Sequence, residues 1–215
     1  GVSGRNDGYI ENSDYVITWC VGHLVEMVYP EVYDEKYKKW KLEDLPFLPK
    51  DYKYDVIPAV SRQYDVVHKM LHREDIDTVY WAGDAGKEGQ TIEENIRMYG
   101  GVREGMKELR VWIDSQTEEE ILRGIREAKD LSEYDNLGAS AYLRAKEDYL
   151  MGINFSRLLT LKYGNSISNY LNTKYSVISV GRVMTCVLGM VVRREREIRE
   201  FVKTPFYRVI STIDA

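Results

Sequence analysis

Residues 79–92 combine the features of a loop that binds metal ions and phosphate. An apolar run rich in strand-forming residues stops at Asp84, and a short glycine-containing turn leads into helix-forming sequence near Glu88. In open α/β sheets, ligands and metal ions are held at this end of a strand, beside the start of a helix. Two carboxylates in that position suit Mg²⁺ and phosphate. The pattern therefore predicts a metal and phosphate site at Asp84 and Glu88.

These residues also have ordinary structural roles that the pattern leaves open. Asp84 after a strand can cap the following helix. Glu88 in a first helical turn is favoured by the helix macrodipole alone. His23 lies between Gly22 and Leu24, and a histidine in such a setting is more often structural than catalytic.

Length and composition set broad bounds on the class of protein. The 215 residues suit one large or two small domains, and an apolar content of 44% is ample for a core. No apolar run approaches the ~18 residues of a membrane span. No secretory leader is visible at Gly1. The two cysteines, Cys20 and Cys186, favour neither a disulfide framework nor a zinc site, so we expect a cytoplasmic protein.

The net charge of −5 hides an uneven distribution. Residues 1–135 carry 18 Lys and Arg against 29 Asp and Glu, a net charge of −11. Residues 136–215 carry 12 against 6, a net charge of +6. A basic C-terminal part indicates contact with a polyanion. A solvated helix rich in arginine over residues 193–199 explains the same charge equally well.

Strands and helices alternate in the first part of the chain. Strands are predicted over residues 15–21, 79–82 and 109–113, the first of them buried. Helices are predicted over residues 62–73, from the turn after residue 84 to about 99, and from a capping box at residues 117–120 to about 129. Residues 29–58 lack clear periodicity and are predicted to be irregular. This alternation indicates an α/β sheet.

Beyond residue 134 the pattern becomes mainly helical. Helices are predicted over residues 136–151, 153–162 and about 180–202, and a strand is predicted over 206–213. We therefore predict an α/β domain over residues 1–134 and a helical segment over 135–203. The start of a β-rich domain is predicted over 204–215.

The order of several motifs resembles one family. The matching stretches are residues 8–11, 16–24, 37–40, 84–90, 112–117, 144–152, 154–160, 179–185, 193–198 and 205–207. Together they resemble the N-terminal part of a type IA DNA topoisomerase, closest to the topoisomerase III branch. The resemblance implies a Rossmann-like TOPRIM domain, with a mostly parallel sheet and flanking helices, that lacks its first strand. It also implies part of a helical domain that holds single-stranded DNA.

The resemblance implies a specific chemistry for the loop. Enzymes of this family attack one DNA strand with a tyrosine, hold the phosphotyrosine while another strand passes, and reseal the break without a nucleotide cofactor. Asp84 and Glu88 correspond to the first Asp and the Glu of the family's acidic Asp-x-Asp-x-Glu-Gly-Glu motif, which holds Mg²⁺. Lys87 stands where the family usually has an arginine that grips phosphate. His23 matches a histidine expected near the scissile phosphate.

The resemblance also implies which residues hold the DNA strand. The expected contacts are Arg144, Asp148, Arg157, Gly181, Arg182 and Thr185. Arg144 and Asp148 are one helical turn apart, so an ion pair between them is the alternative. Arg182 beside Gly181 lies at a predicted helix start, where backbone amides and a guanidinium can both meet phosphate.

The sequence departs from the family pattern at the metal site. Gly86 stands where the second Asp of the acidic motif is expected, and Gln90 where its last Glu is expected. Because Mg²⁺ depends on anionic oxygen ligands, we expect weaker metal binding.

The resemblance implies a fragment, since the nucleophilic tyrosine and the Glu and Lys of the first strand have no counterpart here. We expect a monomer that binds single-stranded DNA, does not contact membranes and cannot cleave DNA alone. Two alternatives stay open. One is a non-catalytic single-strand-binding module with a depleted metal site, and the other is a different TOPRIM enzyme, such as a primase or a nuclease.

Overall fold

The computed structural model describes residues 3–6 and 8–213 and begins with three short antiparallel strands. These are β1 (Ser3–Asn6), β2 (Tyr9–Glu11) and β3 (Val16–Thr18). The prediction of a buried strand over residues 15–21 is wrong in length and in burial. Tyr15, Ile17 and Val21 are 58%, 57% and 57% exposed. This three-stranded sheet packs against the helix over Ser61–Leu71, where Gln63 donates to the Trp19 carbonyl oxygen at 2.6 Å.

Residues 29–58 are largely irregular, as predicted. Strand β4 (Val25–Met27) pairs antiparallel with β5 (Tyr54–Val56), and between them the chain forms single helical turns. Phe47 anchors this segment at 2% exposure and contacts the rings of Tyr33, Tyr37 and Tyr149 edge to face. The irregular segment is therefore packed against the helical part of the chain through Phe47 and Tyr149.

The loop at residues 82–86 lies in a part of the chain where helices and strands alternate. The elements are α1 (Ser61–Leu71), β6 (Thr78–Trp81), α2 (Lys87–Gly100), β7 (Lys107–Arg110), α3 (Glu118–Arg126) and β8 (Lys129–Asp130). β6 and β7 are parallel, and β8 pairs antiparallel with β7. Thr117 caps α3 through its side chain, as predicted.

The protein is mixed α/β, with small sheets and helices. The mostly parallel sheet that was predicted is not what the described residues form, because β6–β7 is the one parallel pairing among them. A parallel pair needs a long crossover, which α2 provides here. The other pairings are antiparallel, which a turn or an irregular segment can connect.

The main core lies between α1, α2 and β6. Its buried members are Leu24, Val25, Tyr64, Val67, Leu71, Trp81, Ile96 and Leu131. The four α1 side chains buried on this face follow the spacing from which the helix was predicted. The core therefore fixes α2 against β6, which sets the geometry of the loop between them.

The turn into α2 requires one glycine for close approach. A Cβ on Gly89 would lie 2.2 Å from the Asp84 carbonyl oxygen and 2.6 Å from its amide nitrogen. At Gly86 the same construction finds no atom within 4 Å, and its φ of 166° is extended backbone that any residue adopts. The loop thus folds back onto the first turn of α2 at Gly89.

Two helices form the remainder of the regular structure. α4 spans Asp135–Leu171 and α5 spans Arg182–Arg199. The predicted break between helices over residues 136–151 and 153–162 is wrong, since α4 continues through it. Asn154 is held in the helix because its side chain bonds the Phe47 backbone at both N–H and C=O, at 2.6 and 2.9 Å.

The last part of the chain differs from its prediction. Residues 206–213, predicted as a strand, are exposed and without regular structure. A strand without a neighbour leaves its backbone hydrogen-bonding groups to water and gains nothing from the extended form. In the part of the chain that the structure describes, no helix is both long and apolar enough to cross a membrane.

Gly89→Ala tests the close approach in the loop. We expect the free energy of unfolding to fall by about 1–3 kcal/mol, because the added methyl overpacks the Asp84 backbone and outweighs the gain in helix propensity. Chemical denaturation measures it. Gly86→Ala is the matched control and should change stability by less than about 0.5 kcal/mol. Equal effects of the two substitutions would contradict the predicted packing.

Candidate nucleic-acid and metal site

A buried arginine from β7 holds the carboxyl end of β6. Arg110 is 0% exposed and lies opposite Trp81 in the parallel pair. Its Nη1 donates to the carbonyl oxygens of Trp81 and Gly83, at 3.1 and 2.8 Å. Its Nη2 donates to the Asp84 carbonyl oxygen at 2.8 Å. The guanidinium therefore binds the backbone on which the candidate site is built.

The same guanidinium binds the first turns of α2. Arg110 Nε donates to Gln90 Oε1 at 3.1 Å and lies 3.2 Å from Glu93 Oε2. Gln90 is also fully buried, and its amide nitrogen donates to Glu94 Oε1 at 3.0 Å. Arg110 thus connects the strand end to the helix that follows it.

Glu93 is a buried carboxylate beneath the loop, at 7% exposure. It accepts a hydrogen bond from the Gly83 amide. Burial raises the pKa of the Glu93 carboxyl to about 7, while Arg110 and the Gly83 amide act in the opposite direction. Glu94 and Asp84 add a smaller rise through their charges.

The loop leaves its own charged side chains at the surface. Asp84 and Lys87 are exposed, as is Glu88 in the first turn of α2. The predicted positions of the two carboxylates, after the strand and at the helix start, are confirmed. The helix N-cap is Gly86, without a side-chain cap, so the capping role considered for Asp84 is wrong.

Three elements meet at Glu88. His23, in the segment before β4, places its Nε2 at 2.7 Å from Glu88 Oε1. Arg144 of α4 donates to Glu88 Oε2. The hydrogen bond from His23, followed by the charges of His23 and Arg144, lowers the pKa of the Glu88 carboxyl. A histidine, a carboxylate and an arginine that are distant in sequence are therefore in contact.

A second ion pair joins α4 to the start of α5. Arg182 Nε and Nη2 lie 2.9 and 3.3 Å from the two carboxylate oxygens of Asp148. This hydrogen bonding lowers the pKa of Asp148. Gly181 is the N-cap of α5 and accepts from the Thr185 amide at 2.9 Å, and Thr185 is exposed. The predicted helix start at Gly181 and Arg182 is confirmed.

The two ion pairs use neighbouring turns of α4. Arg144 and Asp148 are about 6 Å apart along the helix axis. Each bonds a residue from another element, Glu88 and Arg182 respectively, so the intrahelical ion pair considered as an alternative is not the arrangement that the described residues adopt. Charges of alternating sign therefore run from Glu88 across α4 to Arg182.

Arg157 has a different environment from the other predicted DNA contacts. It is 6% exposed, and its Nη1 donates to the Tyr37 carbonyl oxygen at 3.0 Å. Its guanidinium lies over the Trp40 ring and 3.7 Å from Glu31 Oε2. Burial lowers the pKa of Arg157. In this conformation Arg157 connects α4 to the irregular segment, and its guanidinium is buried.

The residues present fit a magnesium ion that takes most of its ligands from water and phosphate. No group of three or more His, Cys, Asp or Glu suited to a metal occurs within residues 3–6 and 8–213. Asp84 and Glu88 remain as two carboxylate donors, and Glu88 is engaged by His23 and Arg144. Mg²⁺ is commonly held by one or two carboxylates together with waters and substrate phosphates, which this donor set allows.

The sequence interpretation missed Arg110, Gln90 and Glu93 as a buried group. Arg110 lies within an apolar strand between Leu109 and Val111, and that setting was the available signal. A charge inside a strand with buried neighbours needs a partner that is itself buried. The interpretation treated Gln90 as a lost metal ligand, whereas its side chain points into the protein and bonds Arg110.

Comparisons with known proteins identify the family of the chain. A family model described as DNA topoisomerase matches residues 132–215, which contain α4 and α5. DNA topoisomerase 3 of Bacillus subtilis (strain 168) is 36% identical over 210 residues, covering 98% of this chain. DNA topoisomerase 3 of Shouchella clausii (strain KSM-K16) is 38% identical over 209 residues, covering 97% of this chain.

The chain belongs to the type IA DNA topoisomerase family. Within it, the sequence is topoisomerase III-like over nearly its whole length, so the resemblance of the motifs is confirmed. The chain spans 27% of the length of each of the two relatives.

The titration of Glu93 gives a pH dependence of stability. Its folded pKa of about 7 exceeds the ordinary value of 4.5, so the folded state binds more protons between these values. Stability should therefore fall as pH rises from about 5 to about 7, by at most about 1.4 kcal/mol per pH unit. Glu93→Gln should remove this slope in denaturation measured at several pH values. If the pH dependence of stability persists in the Glu93→Gln variant, it is due to another titratable group.

Proposed function

We propose that this chain supplies the metal-binding and strand-holding parts of an enzyme that cleaves and reseals one DNA strand through a phosphotyrosine. The covalent link conserves the energy of the phosphodiester bond, so resealing needs no nucleotide cofactor. None of the seventeen tyrosines matches the family's nucleophile motif, so the attacking tyrosine is assigned to another part of the enzyme. Passage of DNA through the break would relax or decatenate it.

The observation that carries this proposal is the contact of His23, Glu88 and Arg144. The three residues come from the segment before β4, from α2 and from α4. Their convergence brings the loop with Asp84 to the helix that carries Arg144 and Asp148. A metal-binding loop and a cationic helix on one surface suit a DNA phosphate held at both.

The arginines are proposed to exchange carboxylate for phosphate when DNA binds. Arg144 and Arg182 are 35% and 38% exposed, and their partners Glu88 and Asp148 are 60% and 46% exposed. Ion pairs this exposed contribute little to stability, so breaking them costs little. Two oxygens of a phosphate, like those of a carboxylate, can accept charge-assisted hydrogen bonds from a guanidinium.

The loop residues are assigned roles toward the scissile phosphate. His23 is oriented by Glu88 and can donate a hydrogen bond or a proton to an oxygen of that phosphate. Lys87 at the start of α2 places a point charge beside the helix N-terminus, where anions are favoured. Asp84 and Glu88 would hold Mg²⁺. Mg²⁺ supplies neutralisation of phosphate charge and fixes the geometry for resealing.

The remaining assignments rest on the family. The part with β6, α2 and β7 is proposed to be a TOPRIM domain, and residues 135–203 part of a domain that prefers single-stranded DNA. Gly181 and Thr185 at the start of α5 would contact the same phosphate as Arg182. The enzyme is proposed to act as a cytoplasmic monomer.

Single-strand binding tests the roles of Arg144 and Arg182. Each change to Ala should weaken binding of a labelled single-stranded oligonucleotide about tenfold. The salt dependence of log affinity should become shallower by about 0.7 for each lost phosphate contact. Fluorescence anisotropy at several salt concentrations, with duplex as competitor, measures both quantities.

Arg123→Ala is the matched control for charge. Arg123 is a half-exposed arginine of α3 that pairs with Glu120 of the same helix and with its C-cap residue Glu127, so neither partner belongs to α4. It should leave both the affinity and the salt slope unchanged. If all three substitutions weaken binding equally, the binding is non-specific attraction and the proposed strand-holding surface is wrong.

A non-catalytic single-strand-binding module is the second candidate. The replacements at Gly86 and Gln90, with two carboxylates left in the loop, favour it. Binding of single-stranded DNA without uptake of Mg²⁺ at millimolar concentration, with or without the oligonucleotide, would support this module over the enzyme.

Restoring a carboxylate at residue 86 and at residue 90 should have different effects on the affinity for Mg²⁺. Gly86→Asp adds a carboxylate where a Cβ meets no atom within 4 Å, so Mg²⁺ binding should tighten by about tenfold or more. Gln90→Glu adds one at a fully buried position and should not tighten it. Calorimetric titration with Mg²⁺ compares them. Unchanged affinity in the Gly86 variant would mean that residue 86 does not face the metal.

A further inference from the structure

Arg110 makes an unusual set of contacts for a buried arginine. Its Nη atoms donate to four backbone carbonyl oxygens. Trp81 is the last residue of β6, Gly83 and Asp84 lie in the loop that follows, and the fourth is the neighbouring Val111 at 2.8 Å. Its Nε bonds Gln90. A structural arginine needs an acidic partner, which Glu93 provides, but it does not need the carbonyl oxygens of one particular loop.

We propose that Arg110 is a positioning residue for the Asp84 carboxylate. The guanidinium holds the Asp84 carbonyl oxygen, and the exposed carboxylate of the same residue is left free to bind a ligand. Gly89, in the first turn of α2, also packs against the Asp84 backbone. The Asp84 backbone is thereby held by contacts from both β7 and α2. This inference rests on the proposed role of Asp84 in metal binding.

A guanidinium is suited to this role and an ammonium is not. Arginine presents five N–H donors in a rigid plane, so that one side chain can bond several acceptors in fixed directions. Lysine has a single nitrogen, which cannot reach the Asp84 and Trp81 carbonyls and the Gln90 amide together. Arg110→Lys therefore keeps the charge that pairs with Glu93 and loses the geometry.

Gln90 and Glu93 hold Arg110 from the side of α2. The Gln90 amide accepts from Arg110 and donates to Glu94 at the same time, which a carboxylate at this position could not do. Glu93 Oε2 lies 3.2 Å from Arg110 Nε, so the carboxyl pairs with the buried cation when it is ionised. Position 90 therefore serves the metal site through Arg110 and not as a ligand.

Arg103 provides a matched control on the same strand unit. Its Nε donates to the Arg73 carbonyl oxygen at 3.1 Å, and its Nη2 to the Ile76 carbonyl oxygen. These carbonyls precede β6, at the end of the unit opposite Asp84. Arg103→Lys thus removes a comparable bridge between an arginine and backbone carbonyls, without touching the loop.

The test uses the 215-residue chain and two measurements on each variant. Hydrogen–deuterium exchange compares the amides of residues 82–89 with those of α1. Calorimetric titration measures the affinity for Mg²⁺. Arg110→Lys should raise exchange in residues 82–89 at least tenfold, with α1 little changed, and should weaken Mg²⁺ binding about tenfold. Arg103→Lys should change neither quantity at the loop.

Two results would overturn the proposal. The first is that Arg110→Lys has the same hydrogen–deuterium exchange in residues 82–89 and the same Mg²⁺ affinity as the unmodified chain. The other is an equal rise in loop exchange in both lysine variants, which indicates general destabilisation. If circular dichroism shows that Arg110→Lys does not fold, Gln90→Met decides, because it removes one anchor of the guanidinium. It should raise loop exchange about threefold, and an unchanged loop would reject the proposal.

Failure of the proposed function gives a different result. If the unmodified chain takes up no Mg²⁺ at millimolar concentration, the metal role of Asp84 is wrong. The exchange comparison of the Arg110 and Arg103 variants then still decides whether Arg110 fixes the loop.

Discussion

The buried guanidinium of Arg110 is the interaction on which the candidate site depends. Removing a charge from water costs several kcal/mol, which is recovered when every donor is bonded and the charge is paired. Here the backbone acceptors are the carbonyl oxygens of Trp81, at the end of β6, and of Gly83 and Asp84 after it. The Trp81 oxygen also accepts from the Val111 amide at 2.9 Å. Arg110 of β7 therefore bonds carbonyl oxygens at the end of β6, pairs with Glu93 and fixes the direction in which the chain enters α2.

The surface charges above this buried group follow a different rule. Arg144 and Arg182 pair with Glu88 and Asp148 at exposed positions, where water screens the attraction. Interactions that weak orient the side chains but break readily, so under the proposed function a DNA phosphate would meet arginines that are already in place. The buried network would then hold the loop in one conformation, while the exposed ion pairs would exchange their carboxylates for phosphate.

The sequence predicted what depends on local pattern. The strand, turn and helix around Asp84 were found close to their observed bounds, because a short apolar run and a glycine-rich turn determine them. The family resemblance assigned His23 and Glu88 to one site, but the contact between their side chains was not predicted. The continuity of α4 through residue 154 could not be predicted, because it depends on Asn154 bonding Phe47, 107 residues away. The burial of Arg157 was missed for the same reason.

The departures at residues 86 and 90 have different physical meanings. Gly86 lies in open space at the N-cap of α2, so the choice of residue there changes the charge of the surface and little else. Gln90, one turn later on the inward face of the helix, is bonded to Arg110 and Glu94. A glutamate at this position would ion-pair with Arg110 and compete with Glu93, without reaching solvent. Under the proposed function, metal binding would therefore depend on residues 84, 86 and 88, while residue 90 would act through the arginine that bonds the Asp84 carbonyl oxygen.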